Sequence, residues 1–170
     1  RDLFSQSLGL DVDGVTLESL RRHCRQLVPG TDASELEFDQ CLDLLLSMAI
    51  QPSMQGYQFV YDYPESQAAL ARINLHDSGV AERFELFFDG IELANGFSEL
   101  TDAAQQRSRF ERDTEMRRNR GLPQYEIDER LLAALESGLE DCAGVAVGLD
   151  RLLMVILGLD SIDEVLTFRD

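Results

Sequence analysis

Cysteine, histidine and basic side chains are all scarce in this 170-residue sequence. The three cysteines form no C-x-x-C pair, which argues against a secreted disulfide framework and favours a reducing cytoplasm. The two histidines, His23 and His76, are far apart, so any metal is expected to be a hard cation such as Mg²⁺ held by carboxylates. Lys and Arg total 15 against 32 acidic residues, and the net charge of −17 excludes a general nucleic-acid-binding surface.

Long hydrophobic runs are absent as well. The longest, Leu152–Leu157, is far shorter than the roughly 18 residues of a membrane span, and we expect it to be a buried element. Apolar residues make up 44% of the chain, enough for a real core. The length fits one domain, or one domain and part of another. Because the first residue is Arg1 and not methionine, we expect the chain to be a piece of something longer.

The first third of the chain has helical periodicity. Apolar residues recur at helical spacing over Leu17–Leu27 after a capping Thr16, and Ser34–Glu37 has the pattern of a capping box for a second helix. No catalytic constellation occurs in residues 1–56. We therefore predict a helical appendage or insertion over 1–56 and a separate domain over 57–170.

The middle of the chain changes to strand periodicity. An aromatic strand is predicted over 59–63, and two further strands, Val80–Phe88 and Ile91–Phe97, are joined by Asp89-Gly90. Asp-Gly between two apolar runs is a strong hairpin signal.

Helices dominate the rest. One is predicted from a capping Asp102 to about Arg120, and another follows a capping Asp128. We then expect a strand over Gly144–Gly148, an apolar helix over Asp150–Leu157 capped by Asp150, and a final strand over Val165–Phe168. Antiparallel strands with helices inserted between them define the α+β class.

A two-residue turn at Asp89-Gly90 sets the faces of the hairpin. One face, expected to be core, carries Phe84, Leu86, Phe88, Ile91 and Leu93. The other carries Arg83, Glu85, Glu92, Ala94 and Gly96. Glu85 and Glu92 become diagonal neighbours within reach of one cation, and a bulge at Asn95-Gly96 would turn Glu99 to the same side. The alternative is the solvated face of a half-exposed hairpin.

A second motif occupies Gly144–Arg151. Glycines at the end of a strand allow a ligand to approach the backbone, and Arg151 in the first turn of the following helix suits phosphate recognition. The pattern is neither a P-loop nor a dinucleotide-binding fingerprint. The alternative is a tight strand-to-helix turn with a surface arginine.

At these two motifs the sequence resembles the C-terminal part of the catalytic domain of class II lysyl-tRNA synthetases. The resemblance lies in residues 83–87 (RFELF), 92–100 (ELANGFSEL) and 144–151, which is similar to class II motif 3. Within that family it is strongest to the short ligases that attach (R)-β-lysine to a lysine of elongation factor P and lack an anticodon-binding domain. The implied fold is the C-terminal portion of the class II antiparallel sheet with flanking helices. Motifs 1 and 2 are absent, so we expect a fragment that is inactive alone.

The resemblance also implies a role for each site residue. Glu85 and Glu92 would hold Mg²⁺ with ATP, Leu93 and Gly148 would lie at the nucleotide, and Arg151 would be the catalytic arginine at the ATP phosphates. The substrate-binding residues would be Asn95, Phe97, Glu99 and Ala146. Glu99 would pair with the substrate ammonium. Ala146 stands where lysyl-tRNA synthetases have glycine, and its methyl group favours β-lysine over α-lysine.

The implied activity is ATP-dependent formation of a lysyl adenylate, with lysine or β-lysine as substrate and a lysine of elongation factor P as acceptor. The implied full-length protein is a cytoplasmic homodimer. Two alternatives stay open: a lysyl-tRNA synthetase catalytic fragment acting on tRNA-Lys, and a non-catalytic synthetase-like binding protein.

Overall fold

The structure, a computed structural model, describes residues 1–168 and combines helices with one antiparallel sheet, which confirms the α+β prediction. The sheet has four strands in the order β1-β2-β3-β4. The strands are β1 Tyr57–Pro64, β2 Val80–Phe88, β3 Ile91–Ser98 and β4 Ala143–Val147. The α-helices are α1 Asp2–Leu8, α2 Leu17–Leu27, α3 Phe38–Leu45, α4 Ala103–Asn119, α5 Glu129–Glu136 and α6 Leu149–Leu157. Within residues 1–168 every helix is too short or too polar to cross a lipid bilayer.

The chain forms two compact units that are discontinuous in sequence. Unit 1 comprises Arg1–Asp62, Phe84–Asn95 and Ala146–Asp170. Unit 2 comprises Tyr63–Arg83 and Gly96–Val145. The division therefore does not follow a single point along the chain, because strands β1 to β4 each contribute residues to both units.

In unit 1 the first three helices enclose a core around two cysteines. Cys24 and Cys41 are fully buried, and burial raises the pKa of the Cys24 thiol to about 11. Thr16 caps α2 as predicted, its hydroxyl accepting from the Ser19 N–H. The predicted capping box Ser34–Glu37 is wrong. The box belongs one turn later, where Glu37 is the cap and its N–H donates to the Gln40 side chain.

The hairpin of unit 1 has buried side chains on both faces. Leu93 of the predicted core face is buried, but the largest buried side chain lies on the opposite face. Phe87, on the Glu85 side of β2 by alternation, is fully buried with Ile50 and Met54. Phe84 is only half-buried. The reason is that the segment before β1 covers the Phe87 side, and alternation alone cannot tell which side is covered.

Two half-buried phenylalanines of the opposite hairpin face pack against exposed aromatic residues of β1. Phe84 packs against Phe59 and Phe88 against Tyr57, and both of these β1 side chains are at least 60% exposed. Tyr63 of the same strand, in contrast, is buried.

In unit 2 two helices begin at the predicted aspartates. Asp102 accepts from the Gln105 N–H at 2.9 Å, and the same backbone contact lowers the pKa of the Asp102 carboxyl. Asp128 accepts from two backbone N–H groups at the start of α5. Arg107 of α4 and Glu129 of α5 form a two-pronged ion pair, which lowers the pKa of the Glu129 carboxyl. The helix pair is therefore fixed by caps and one cross-link.

Three further predictions about the last third of the chain are wrong. Gly148, not Asp150, is the N-cap of α6. The run Leu152–Leu157 is not a buried element, because Met154 is its only buried residue. Residues 165–168 form a turn and bend and not a strand. The error over Leu152–Leu157 has a simple reason, since apolar content predicts burial only where another element supplies a covering surface.

Candidate active site

The predicted site begins at the tip of the β2–β3 hairpin in unit 1. Asp89 and Gly90 both have positive φ, 46° and 77°, as the mirror-image two-residue turns require. The Asp89 carboxylate accepts from the Gly56 N–H at 2.6 Å, and a Cβ on Gly90 would collide with the Gln51 carbonyl. The tip is thus held against the segment that precedes β1.

Arg151 and Glu92 lie together in unit 1. The Arg151 guanidinium donates from Nη1 to the Glu92 backbone oxygen at 2.9 Å, and it lies 3.5 Å from Glu92 Oε2. The backbone bond fixes the arginine, while the longer distance leaves the carboxylate loosely paired. The side chains are 48% and 38% exposed, so both groups remain accessible to a ligand.

Gly148, the residue before α6, lies next to Arg151 and to β3. The Gly148 N–H donates to the Leu93 carbonyl at 2.9 Å, and this bond attaches the start of α6 to β3 next to Glu92. A Cβ at position 148 would meet Leu93 O and the Arg151 side chain only at ordinary contact distances of 3.6–3.7 Å. The β4–α6 junction therefore brings a backbone edge, a cation and a carboxylate together.

Glu85 lies beside Asn95 in the same unit. The Asn95 side-chain amide donates to Glu85 Oε1 at 3.1 Å, and both residues are half-buried. The amide restricts the orientation of the carboxylate without neutralising its charge. Ala146 also belongs to unit 1 and is exposed.

Phe97 and Glu99 belong to unit 2. Phe97 packs against a cluster of buried alanines, Ala68, Ala71 and Ala81. The small alanine side chains leave room for the bulky ring to pack against them.

The backbone of Glu99 is held firmly. Its N–H donates to the Cys142 carbonyl at 2.9 Å, and the residue forms a bridge with Ala71. The Glu99 carboxylate lies directly against Gly144 of β4.

Two features of unit 2 were not found from the sequence. Arg72 binds both Glu82 and Asp141, and the hydrogen bonds to Glu82 raise the pKa of the guanidinium. No local pattern indicated this network, because its partners come from separate segments. Gly144 did give a signal, a glycine inside a strand, but we interpreted it as room for a ligand and not for the Glu99 side chain.

The predicted magnesium–nucleotide site has two carboxylates, those of Glu85 and Glu92. Within residues 1–168 no group of three His, Cys, Asp or Glu side chains is arranged to hold a metal. Mg²⁺ at nucleotide sites is commonly held by one or two carboxylates together with phosphate oxygens. Glu85 and Glu92 provide carboxylates of this kind, and the Glu92 carboxylate lies 3.5 Å from the Arg151 guanidinium. Their chemistry therefore fits Mg²⁺ that arrives with a phosphate ligand.

The antiparallel sheet and the strand–glycine–helix junction carrying Arg151 agree with the comparison to known families. Residues 18–170 match the family described as tRNA synthetases class II (D, K and N), and the chain belongs to this family. Among curated relatives, a protein of Klebsiella pneumoniae strain 342 named elongation factor P–(R)-β-lysine ligase is 47% identical over 94% of the chain and 50% of its own length. Proteins of the same name from Mannheimia succiniciproducens and from K. pneumoniae subsp. pneumoniae are 48% and 53% identical.

These alignments cover the chain almost entirely but not the relatives. The Mannheimia alignment covers 98% of the chain and 52% of the relative, and the second Klebsiella alignment covers 94% and 50%. The chain spans about half the length of the curated relatives it matches.

Proposed function

We propose that the full-length protein is a cytoplasmic, ATP-dependent ligase that activates a lysine-like amino acid as its adenylate and transfers it to a lysine of elongation factor P. The observation that carries this proposal is the junction of Arg151, Glu92, Gly148 and Leu93 in a chain about half identical to ligases of that name. Within it, 57–170 is the C-terminal part of the catalytic domain, and a homodimer is the proposed assembly.

Nucleotide binding is assigned to the residues around this junction. Arg151 is the proposed partner of the ATP phosphates, because an arginine fork matches two phosphate oxygens. Gly148 and the Leu93 backbone offer an uncrowded edge for the nucleotide, since no side chain projects from the glycine. Glu85 and Glu92 are the proposed ligands of Mg²⁺, which would supply charge neutralisation for the triphosphate.

Recognition of the amino acid is assigned to Asn95, Phe97, Glu99 and Ala146. Glu99 is the proposed partner of the substrate ammonium, and Asn95 adds a polar amide. The methyl group of Ala146, compared with the glycine of lysyl-tRNA synthetases, is proposed to favour β-lysine. Positioning and charge neutralisation then suffice for the reaction, in which the amino-acid carboxylate attacks the α-phosphorus and pyrophosphate leaves.

The test is ATP–pyrophosphate exchange by the full-length protein with (R)-β-lysine and with α-lysine. We expect faster exchange with β-lysine, followed by transfer to purified elongation factor P detected as a mass increase. Equal or better exchange with α-lysine contradicts the selectivity assigned to Ala146. No exchange with either amino acid contradicts the ligase function itself.

A second candidate is charging of tRNA-Lys, which the family description favours because it names tRNA synthetases. The net charge of −17 disfavours a large tRNA-binding surface on this part of the protein. Incubating the full-length enzyme with lysine, ATP and tRNA-Lys distinguishes the two. Formation of aminoacylated tRNA-Lys, together with no modification of elongation factor P in the transfer assay, would replace the first proposal.

A further inference from the structure

Gly144 of β4 lies directly beneath the Glu99 carboxylate. A Cβ built on residue 144 would be 2.5 Å from Glu99 Oε1, closer than real Cβ atoms approach other heavy atoms. The backbone at Gly144 is not in the left-handed region, so its conformation does not itself require glycine. What glycine provides here is space for the carboxylate.

The backbone that carries this carboxylate is held on two sides. The Glu99 N–H donates to the Cys142 carbonyl at 2.9 Å, and the next residue, Leu100, donates to the Leu70 carbonyl at 2.9 Å. Moving the Glu99 backbone away from residue 144 would break these bonds. The flexible end of the Glu99 side chain costs less to move, so an added methyl group at position 144 would turn the carboxylate.

We propose that Gly144 is a positioning residue, which by lacking a side chain allows the Glu99 carboxylate to point in the direction that pairs with the substrate ammonium. This inference rests on the function proposed above, since it requires Glu99 to bind the amino acid. Charge-assisted hydrogen bonds depend on distance and direction, so a displaced carboxylate binds an ammonium less well even though its charge is kept.

The proposal separates substrate binding from stability. In Gly144→Ala the colliding atom is the end of a side chain, so we expect a melting temperature close to that of the unsubstituted protein. In pyrophosphate exchange with (R)-β-lysine, the KM for the amino acid should rise on the order of tenfold while the KM for ATP stays unchanged. Val145→Ala is the matched control. Val145 is 56% exposed and points to the other side of β4, so its variant should keep both KM values.

A double-mutant cycle with Glu99→Ala tests whether Gly144 acts through Glu99. Glu99→Ala should raise the KM for the amino acid, and adding Gly144→Ala should raise it no further, because no carboxylate remains to be displaced. Independent, multiplying effects would overturn the positioning role.

The single variants keep the two proposals apart. An unchanged amino-acid KM in Glu99→Ala refutes the substrate role of Glu99 in the proposed function. A raised KM in Glu99→Ala together with a normal KM in Gly144→Ala refutes the positioning role alone. A lower melting temperature in Gly144→Ala with normal KM values also refutes it and assigns the glycine to folding.

Discussion

Replacing Arg151 by alanine should affect activity far more than stability. Arg151 makes one backbone hydrogen bond of 2.9 Å to Glu92 and a loose 3.5 Å ion pair with its carboxylate, and the two side chains are 48% and 38% exposed. A hydrogen bond contributes about 1 kcal/mol to the free energy of unfolding, and an exposed ion pair contributes about 0–1 kcal/mol. We therefore expect Arg151→Ala to lower the free energy of unfolding by no more than about 2 kcal/mol.

The expected loss in catalysis is larger. Removing a positioned donor from developing or transferring charge commonly slows a reaction about 10²–10³-fold, equivalent to roughly 3–4 kcal/mol of transition-state stabilisation. Pyrophosphate exchange by the full-length protein measures this loss, and urea unfolding of the same samples measures stability. Arg151→Lys is the matched comparison, because it keeps the charge but lacks the planar fork and should recover only part of the activity.

Two results would refute this reasoning. Exchange reduced less than about threefold in Arg151→Ala would mean that the guanidinium does not assist the phosphate chemistry. Loss of more than about 3 kcal/mol of unfolding free energy would mean that the residue mainly supports the fold, because exposed contacts of this kind cannot supply that much.

Three other predictions concern the core, a helix cap and the substrate preference. Phe87→Ala should cost about 3–5 kcal/mol in urea unfolding because the ring is fully buried, whereas Phe84→Ala should cost less because its ring is only half-buried; equal losses would contradict this difference in burial. Asp102→Ala should lower the melting temperature at neutral pH. Because folding lowers the pKa of Asp102, its stabilisation is present above the ordinary carboxyl pKa of about 4 and is lost as the pH falls through the folded pKa. The difference from Asp102→Ala should therefore shrink at low pH, and a constant difference in thermal melts would exclude the charge as its source. Ala146→Gly should raise exchange with α-lysine relative to β-lysine, and an unchanged ratio would remove Ala146 from the specificity determinants.

Local signals predicted much of the secondary structure. The hairpin strands were predicted to within one residue, because Asp89-Gly90 has a backbone requirement that few other dipeptides satisfy. Asp102 and Asp128 were predicted as caps for a similar reason, since each satisfies backbone N–H groups within a few residues of itself. Features that depend only on residues a few positions apart can be predicted from the sequence.

Features that depend on distant partners were not accessible in the same way. The burial of Phe87 depends on Ile50 and Met54, which precede β1, and no pattern within the hairpin encodes them. The approach of Arg151 to Glu92 spans 59 residues and requires the β3–β4 arrangement. For that pair the sequence offered suitable chemistry, and the resemblance to a family supplied the expectation that the two residues belong to one site.

The attachment of the hairpin tip has a consequence for how unit 1 unfolds. Asp89 is bonded to Gly56, Gly90 is in contact range of Gln51, and Phe87 is buried beside Ile50. Separating the hairpin tip from residues 50–56 would expose the Phe87 ring and break the hydrogen bond between Asp89 and Gly56 in one event. Amide hydrogen exchange should therefore report a shared opening free energy for residues near 50 and near 87, which should lose protection as one cooperative unit.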